Sequence, residues 1–218
     1  MLGAVGVRVE HVHEHESFDA AAATWDDDPG HEDRQVAVAR AIEGVLDLNP
    51  GMRALDVGGG TGRLSILLAG RIGSAVVTDP SAGMVQVARE RIEAAGLSDR
   101  LRAVRADLTT DRLDGSYDVV WSSMALHHVR DLDALLQSVA GLLVAGGRLA
   151  IADLDEDPDG AFHAHKAEFD GHHGFDREGL TERLTRAGFV DVSFVDATTI
   201  LKDDREFGVF LCTATKGP

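Results

Sequence analysis

The chain has 218 residues, 44 % of them apolar, and a formal net charge of −16. That length suits one domain with small additions, and so acidic a surface repels phosphate backbones, which speaks against a nucleic-acid substrate. No apolar run approaches the ~18 residues of a membrane span; "MLGAVGVRVEHVHEHES" turns acidic and His-rich before a signal-peptide core develops; and the single cysteine, Cys212, excludes an internal disulfide and fits a reducing, cytoplasmic setting.

From about residue 33 to 152, helical and strand-like patterns alternate. "DRQVAVARAIEGVLDL" carries Val38, Ile42, Val45 and Leu46 at helical spacing, and Pro50-Gly51 breaks it. "MRALDV" reads as a first strand, "GRLSILLAGR" as a helix ended by Gly70, and "SAVVTD" as a second strand. "SAGMVQVARERIEAAG" is a helix with Met84, Val85, Ala88 and Ile92 on one side and Gly96 as its stop. "LRAVRAD" and "YDVVWSS" are the third and fourth strands. "DLDALLQSVAGLL" then turns Leu132, Leu135, Leu136, Val139 and Leu143 inward, and "GGRLAIADL" is a fifth strand. This alternation predicts a parallel sheet covered on both faces. Residues 155–174 are acidic, His-rich and poor in aliphatics. "DREGLTERLTRAG" follows as a helix capped by Asp176 and ended by Gly188. "FVDVSFVDAT" and "FGVFLCTAT" read as a closing antiparallel pair with a polar loop between them.

The first strand runs into "LDVGGGTGRLS", with glycines at 58, 59, 60 and 62. In an open parallel sheet a ligand sits outside the carboxyl ends of the strands, so this much bare backbone points to a small molecule there. A nicotinamide dinucleotide, a nucleoside triphosphate and S-adenosylmethionine are the candidates. The dinucleotide fingerprint beginning at Gly58 needs glycine where Arg63 stands, and a P-loop needs Gly-Lys-Ser/Thr where the chain has Gly62-Arg63-Leu64.

"ALDVGGGTGRLS", "VVTDPSAGMV", "RADL", "YDVVWSSMALHHV" and "LLVAGGRLAIAD" occur in that order. Together they resemble the motifs of the class I S-adenosylmethionine-dependent methyltransferases, over nearly the whole chain. Ala145 stands where that family commonly has proline. The upstream "FDAAAATWDDDPG" resembles the family's cofactor-covering segment. The resemblance implies a Rossmann-like, doubly wound α/β fold with a seven-stranded sheet, mostly parallel, the last strand antiparallel. It divides the chain into a covering segment, 1–32, and a methyltransferase domain, 33–218, with a lid or acceptor insertion at 155–175. The activity it implies is in-line transfer of a methyl group from S-adenosylmethionine to a small-molecule acceptor, with S-adenosylhomocysteine as product.

The same resemblance suggests a cofactor site. Gly58, Gly60, Thr61 and Gly62 let backbone approach the amino-acid end and the sugar, and Asp56 faces the cofactor's amino group. Asp79, ending the second strand before Pro80, accepts from the ribose hydroxyls. Asp107 accepts from the adenine amino group, Met84 and Leu108 sandwich the base, and Ser122 lies near the methyl donor. Phe18 and Trp25 are candidates to cover it. Each has a plainer alternative: a tight turn, a helix cap at Asp79, a solvated acid at Asp107, core packing at Met84.

Ten histidines are many for this length, and they cluster. His11, His13 and His15 alternate, so an extended chain would set them on one face, where a divalent metal can bind. His127 and His128 follow the fourth strand, and His163, His165, His172 and His173 lie in "FHAHKAEFDGHHGFD". His127 and His173 are the candidate proton acceptors; packed rings are the alternative. No metal is assigned, although Asp153, Asp155 and Glu156 with the loop histidines offer mixed ligands. An NAD-dependent oxidoreductase shares the sheet and Asp79 but is disfavoured by Arg63 and by Trp121 four places after the only tyrosine, Tyr117. A non-catalytic cofactor-binding protein is the other alternative. "WSSM" in place of an Asn-Pro-Pro-Tyr-type motif argues against a nucleic-acid base as acceptor, no membrane partner is expected, and the acceptor atom and oligomeric state are not legible.

Overall fold

The computed structural model describes residues 10–166 and 169–218, with side chains from Glu16 onward. Its seven strands are β1 (Arg53–Val57), β2 (Ser74–Asp79), β3 (Leu101–Arg105), β4 (Tyr117–Ser123), β5 (Leu143–Leu154), β6 (Phe189–Lys202) and β7 (Arg205–Lys216). They form one sheet in the order β3-β2-β1-β4-β5-β7-β6. The pairs β2/β3, β1/β2, β1/β4 and β4/β5 are parallel, and β7 runs antiparallel to both β5 and β6. Strand order reverses between β1 and β4, so a crevice opens there at the carboxyl ends.

Alternation along the strands feeds two cores. Ala54, Val77, Val119 and Trp121 face α2 (Pro29–Val45), α3 (Arg63–Leu68) and α4 (Ala82–Ala94). Leu55, Val120, Ile151 and Phe210 face α5 (Leu132–Leu142) and α6 (Arg177–Arg186). The expected stripes of α4 and α5 are buried, and Gly96 and Gly188 stop their helices at φ 68° and 89°. Asp28, Ser81, Asp131 and Asp176 accept backbone N–H groups as N-caps.

Three expectations need correction. The helix over 33–48 begins earlier and ends sooner. Asp28 caps it and Pro29 pre-sets its first turn, so α2 runs straight through the expected junction at 32/33. It ends at Val45, which is 40 % exposed, while Leu46 is buried just beyond it. The backbone of His11, His13 and His15 lies in helix α1 (Glu10–Ala21), not an extended segment, so the alternating-face argument lapses; their side chains lie outside the described residues. The polar loop of the closing pair shrinks to Asp203-Asp204, at φ 50° and 59°, because pairing continues from Phe189↔Lys216 to Lys202↔Arg205.

A two-residue hairpin turn with both residues left-handed favours glycine, and the left-handed region costs an L-residue about 1–2 kcal/mol. Asp204→Gly should therefore raise stability by about 0.5–1 kcal/mol after glycine's own entropy cost, read by urea denaturation. A loss of stability would mean the Asp204 carboxylate contributes more than its backbone strain.

Candidate cofactor and acceptor site

The glycine loop lies flat against the ends of β1 and β2. A Cβ at Gly58 (φ 62°) would fall 2.5 Å from the Ala125 Cβ, and one at Gly59 2.6 Å from Val77 Cγ1 and 2.7 Å from Asp56 Cγ. Two edges of the loop are thus closed to any side chain. Beneath it, Asp56 is 1 % exposed and its Oδ2 accepts from Ser65 Oγ at 2.7 Å. Burial pushes the Asp56 pKa up to about 6, against the pull of the Ser65 hydroxyl. Asp56 supports the loop from behind and is not in the cavity wall. The same correction applies to Gly62, the left-handed N-cap of α3, and to Ser122, whose Oγ donates to the Val57 carbonyl at 2.7 Å. Strand alternation puts Ser123 in the wall in place of Ser122.

The other sequence candidates do converge. Gly58, Gly60, Thr61, Asp79, Pro80, Met84, Asp107 and Leu108 all line one cavity over the crevice. Asp79 Oδ2 accepts from Gly60 N and Oδ1 from Ser81 N, both at 2.9 Å, so the acid that ends β2 also fixes the loop. Each oxygen keeps lone-pair capacity for a further donor. Asp107 Oδ1 takes the Thr109 amide and hydroxyl at 2.9 and 2.6 Å, stapling the turn after β3. Met84 and Leu108 are 2 % and 4 % exposed and supply the apolar wall beside it.

The N-terminal segment closes the other side. Asp19 Oδ1 accepts from Ser81 Oγ at 2.5 Å and Gly83 N at 2.8 Å, tying α1 to the start of α4; these bonds hold the Asp19 carboxyl below its usual range. Phe18 and Trp25 both line the cavity and meet edge to face, centroids 5.6 Å apart. Sequence reasoning missed Arg34 and Gln35, which also line it from α2. Arg34 Nε and Gln35 Oε1 are buried with no hydrogen-bond partner among the described residues. An unpaired buried donor is costly, and a ligand's polar end would relieve it. The only signal in the sequence was polar residues next to a buried helical stripe.

At the carboxyl ends of β4 and β5 the histidines gather around Asp153, which is fully buried. Its Oδ1 accepts from His127 Nδ1 at 2.6 Å and Leu154 N at 2.8 Å; its Oδ2 accepts from Leu126 N at 3.0 Å and His127 N at 3.3 Å. His128 lines the cavity, whereas His127 and His173 are set back from it. His163 stacks on Phe169, centroids 3.7 Å apart and planes 7° apart. Burial, then His127, His128, Lys166 and His173, push the His163 pKa down to about 3, so its ring is neutral. The described residues of the 155–175 insertion, expected as a lid or acceptor wall, are tied down beside the cavity without lining it. Asp155 pairs with Arg177 through both oxygens at 2.7 and 2.9 Å, Lys202 Nζ donates to the Phe162 carbonyl at 2.6 Å, and His172 N donates to the His127 carbonyl at 2.7 Å. Cys212 is buried on β7, and burial pushes its thiol up to about 12, which leaves it inert.

The Asp56 pKa gives a pH signature. A carboxyl raised from about 3.9 in the unfolded chain contributes most below that value and loses its contribution as pH rises through the folded value. The stability of Asp56→Asn relative to the parent should thus improve between pH 4 and 7 by on the order of 2–3 kcal/mol, measured by urea denaturation across pH. A difference that stays flat would mean Asp56 is not desolvated in the folded state.

Residues 54–147 match the model of a methyltransferase-domain family. Methyltransferase GfsG of Streptomyces halstedii is 37 % identical over 111 residues, which is 50 % of this chain and 40 % of that protein. The ubiquinone/menaquinone biosynthesis C-methyltransferase UbiE of Stenotrophomonas maltophilia is 36 % identical over 116 residues, 51 % of this chain and 46 % of its own. The chain thus spans less than half the length of these curated relatives. A Haloferax volcanii methyltransferase solved in complex with the Trm112 activator superposes with a TM-score of 0.77 over 98 % of this chain and 100 % of its own, at 24 % identity, a likeness of fold. The switch-point cavity, the glycine loop and the match over residues 54–147 together mark that segment as a methyltransferase domain, similar to those of the class I S-adenosylmethionine-dependent enzymes.

Proposed function

We propose that the protein transfers a methyl group from S-adenosylmethionine to a small-molecule acceptor. The observation that carries this reading is the cavity's pair of unlike ends. Asp79 offers carboxylate oxygens at one wall, and the buried, partnerless Arg34 Nε and Gln35 Oε1 line another. A ligand with ribose hydroxyls, a carboxylate and an ammonium group, and no phosphate, complements both. In this reading Asp79 takes the ribose hydroxyls, the Asp107 turn with Met84 and Leu108 holds the adenine, and Arg34 takes the carboxylate.

The cofactor supplies a methyl group on a sulfonium, already a good leaving group. The chain's share is therefore to hold the acceptor in line and exclude water, which can lower a barrier by about 7–11 kcal/mol. Phe18 and Trp25 supply the exclusion. The acceptor sits against His128, with His127 and Asp153 as its ordered polar backing; His173 stands behind them. No helix among the described residues is long and apolar enough to cross a membrane, and the reading needs no membrane or nucleic-acid partner.

Calorimetry with S-adenosylmethionine, S-adenosylhomocysteine and NAD is the direct test. Micromolar binding of the two sulfur nucleosides without NAD is expected, and the reverse pattern would overturn the reading in favour of a dinucleotide enzyme. Asp79→Ala should weaken S-adenosylhomocysteine by about 1.5–3 kcal/mol. Arg34→Met should weaken it about tenfold or more while leaving 5′-methylthioadenosine, which lacks the carboxylate, unchanged. Equal losses for both ligands would remove Arg34 from the carboxylate. With an acceptor found by screening, His127→Gln should lower turnover more than cofactor affinity; binding without turnover on any acceptor would favour a cofactor-binding protein.

A further inference from the structure

We propose that His127, His128 and His163 form a mononuclear site for a divalent transition-metal ion of the zinc type, with one coordination position open to the methyl-transfer cavity. The inference stands on the geometry of the three rings and goes beyond the methyl-donor reading. One ring nitrogen from each histidine lies within 4.8 Å of the others. In a tetrahedral site with metal–nitrogen bonds of about 2.0–2.1 Å, ligand nitrogens stand roughly 3.4 Å apart. Small ring rotations close that gap.

Two of the three rings have little alternative. His127 and His163 are 2 % and 4 % exposed, so water does not solvate them. His163 Nδ1 is buried with no hydrogen-bond partner among the described residues. An imidazole nitrogen left so is costly, unless something shared by the cluster uses its lone pair. The Phe169 ring stacked on His163 holds it in place.

Asp153 supplies the outer layer. It accepts from His127 Nδ1 at 2.6 Å and is itself anchored by the amides of Leu126, His127 and Leu154. A carboxylate behind the far nitrogen of a ligating histidine fixes its tautomer and strengthens it as a ligand. With Nδ1 so occupied, Nε2 of His127 is the nitrogen left for an ion. Three imidazoles with no thiolate and no carboxylate in the set suit zinc, cobalt, nickel or copper, not magnesium or calcium. Three protein ligands also leave a fourth position. His128 lines the cavity, so that position faces the acceptor. An oxygen or sulfur acceptor bound there would have its pKa lowered, as a metal lowers that of water.

The test uses the metal-free full chain titrated with cobalt(II), read by visible absorption. Intense ligand-field bands saturating at one equivalent, and displaced by zinc, are expected. His163→Gln should weaken cobalt at least a hundredfold, and Asp153→Asn by about 10–100-fold, as for loss of an outer-layer partner. The triple variant His11→Gln/His13→Gln/His15→Gln should bind as the parent does. Absence of bands at stoichiometric cobalt, bands unmoved by His163→Gln, or bands lost in the N-terminal variant would each overturn the site. Circular dichroism checks the fold of every variant; if His163→Gln does not fold, His128→Gln, on the cavity side, decides by the same readout. The bands report the ligands alone, so failure of the parent to bind S-adenosylmethionine would sink the methyl-transfer reading and leave this one standing.

Discussion

One buried carboxylate organises the histidine end of this molecule. Asp153, next to last in β5, has no solvent contact and accepts hydrogen bonds from three backbone amides and one imidazole. A carboxylate taken out of water is costly unless its lone pairs are met. Here the donors come from the turn after β4 and from the next residue of its own strand, so the charge can be buried only if that turn adopts this one path. The path sets His127 and His128, and His127 in turn holds residue 172 through its carbonyl. Loss of that carboxylate would unpin the turn, the ring and the loop over it together.

The glycine-loop end is built differently. Asp79 meets the loop through Gly60 N and the start of α4 through Ser81 N. Asp56 does not reach the cavity; it fills the space under Gly59 that any side chain there would need. One acid shapes the wall and the other supports it. The loop amides of Gly59, Gly60 and Gly62 are taken up by Thr78, Asp79 and Gly59, and the loop has no lysine of the kind a triphosphate would require.

The strands and helices of the domain were legible because their patterns are local: β1, β2, β4 and the stripes of α4 and α5 follow from period and caps. The wall residues that sit on strand ends and turns were legible as motifs, and Asp79, Met84, Asp107 and Leu108 line the cavity together. Asp56 and Ser122 lie off that wall, since a residue's side of the sheet depends on register, and neighbours along a strand face opposite ways. Arg34 and Gln35 were illegible for another reason: their importance arises from burial by a distant segment, which no local pattern encodes. The histidines were visible as a count and a cluster in sequence, but the meeting of His127 with His163 depends on how the insertion folds back over β4 and β5. The shared face that His11, His13 and His15 would have in an extended chain does not arise in helix α1, where residues two apart point in different directions.

Phe18 touches both ends of the cavity. Its ring meets Trp25 at 5.6 Å on one side and His128 at 5.1 Å, edge to face, on the histidine side, while its helix is strapped to α4 by Asp19. One aromatic side chain is therefore a shared roof. Any displacement of α1 would lift that ring from Trp25 and from His128 in the same movement. The two ends of the cavity therefore share one cover, and opening one opens the other.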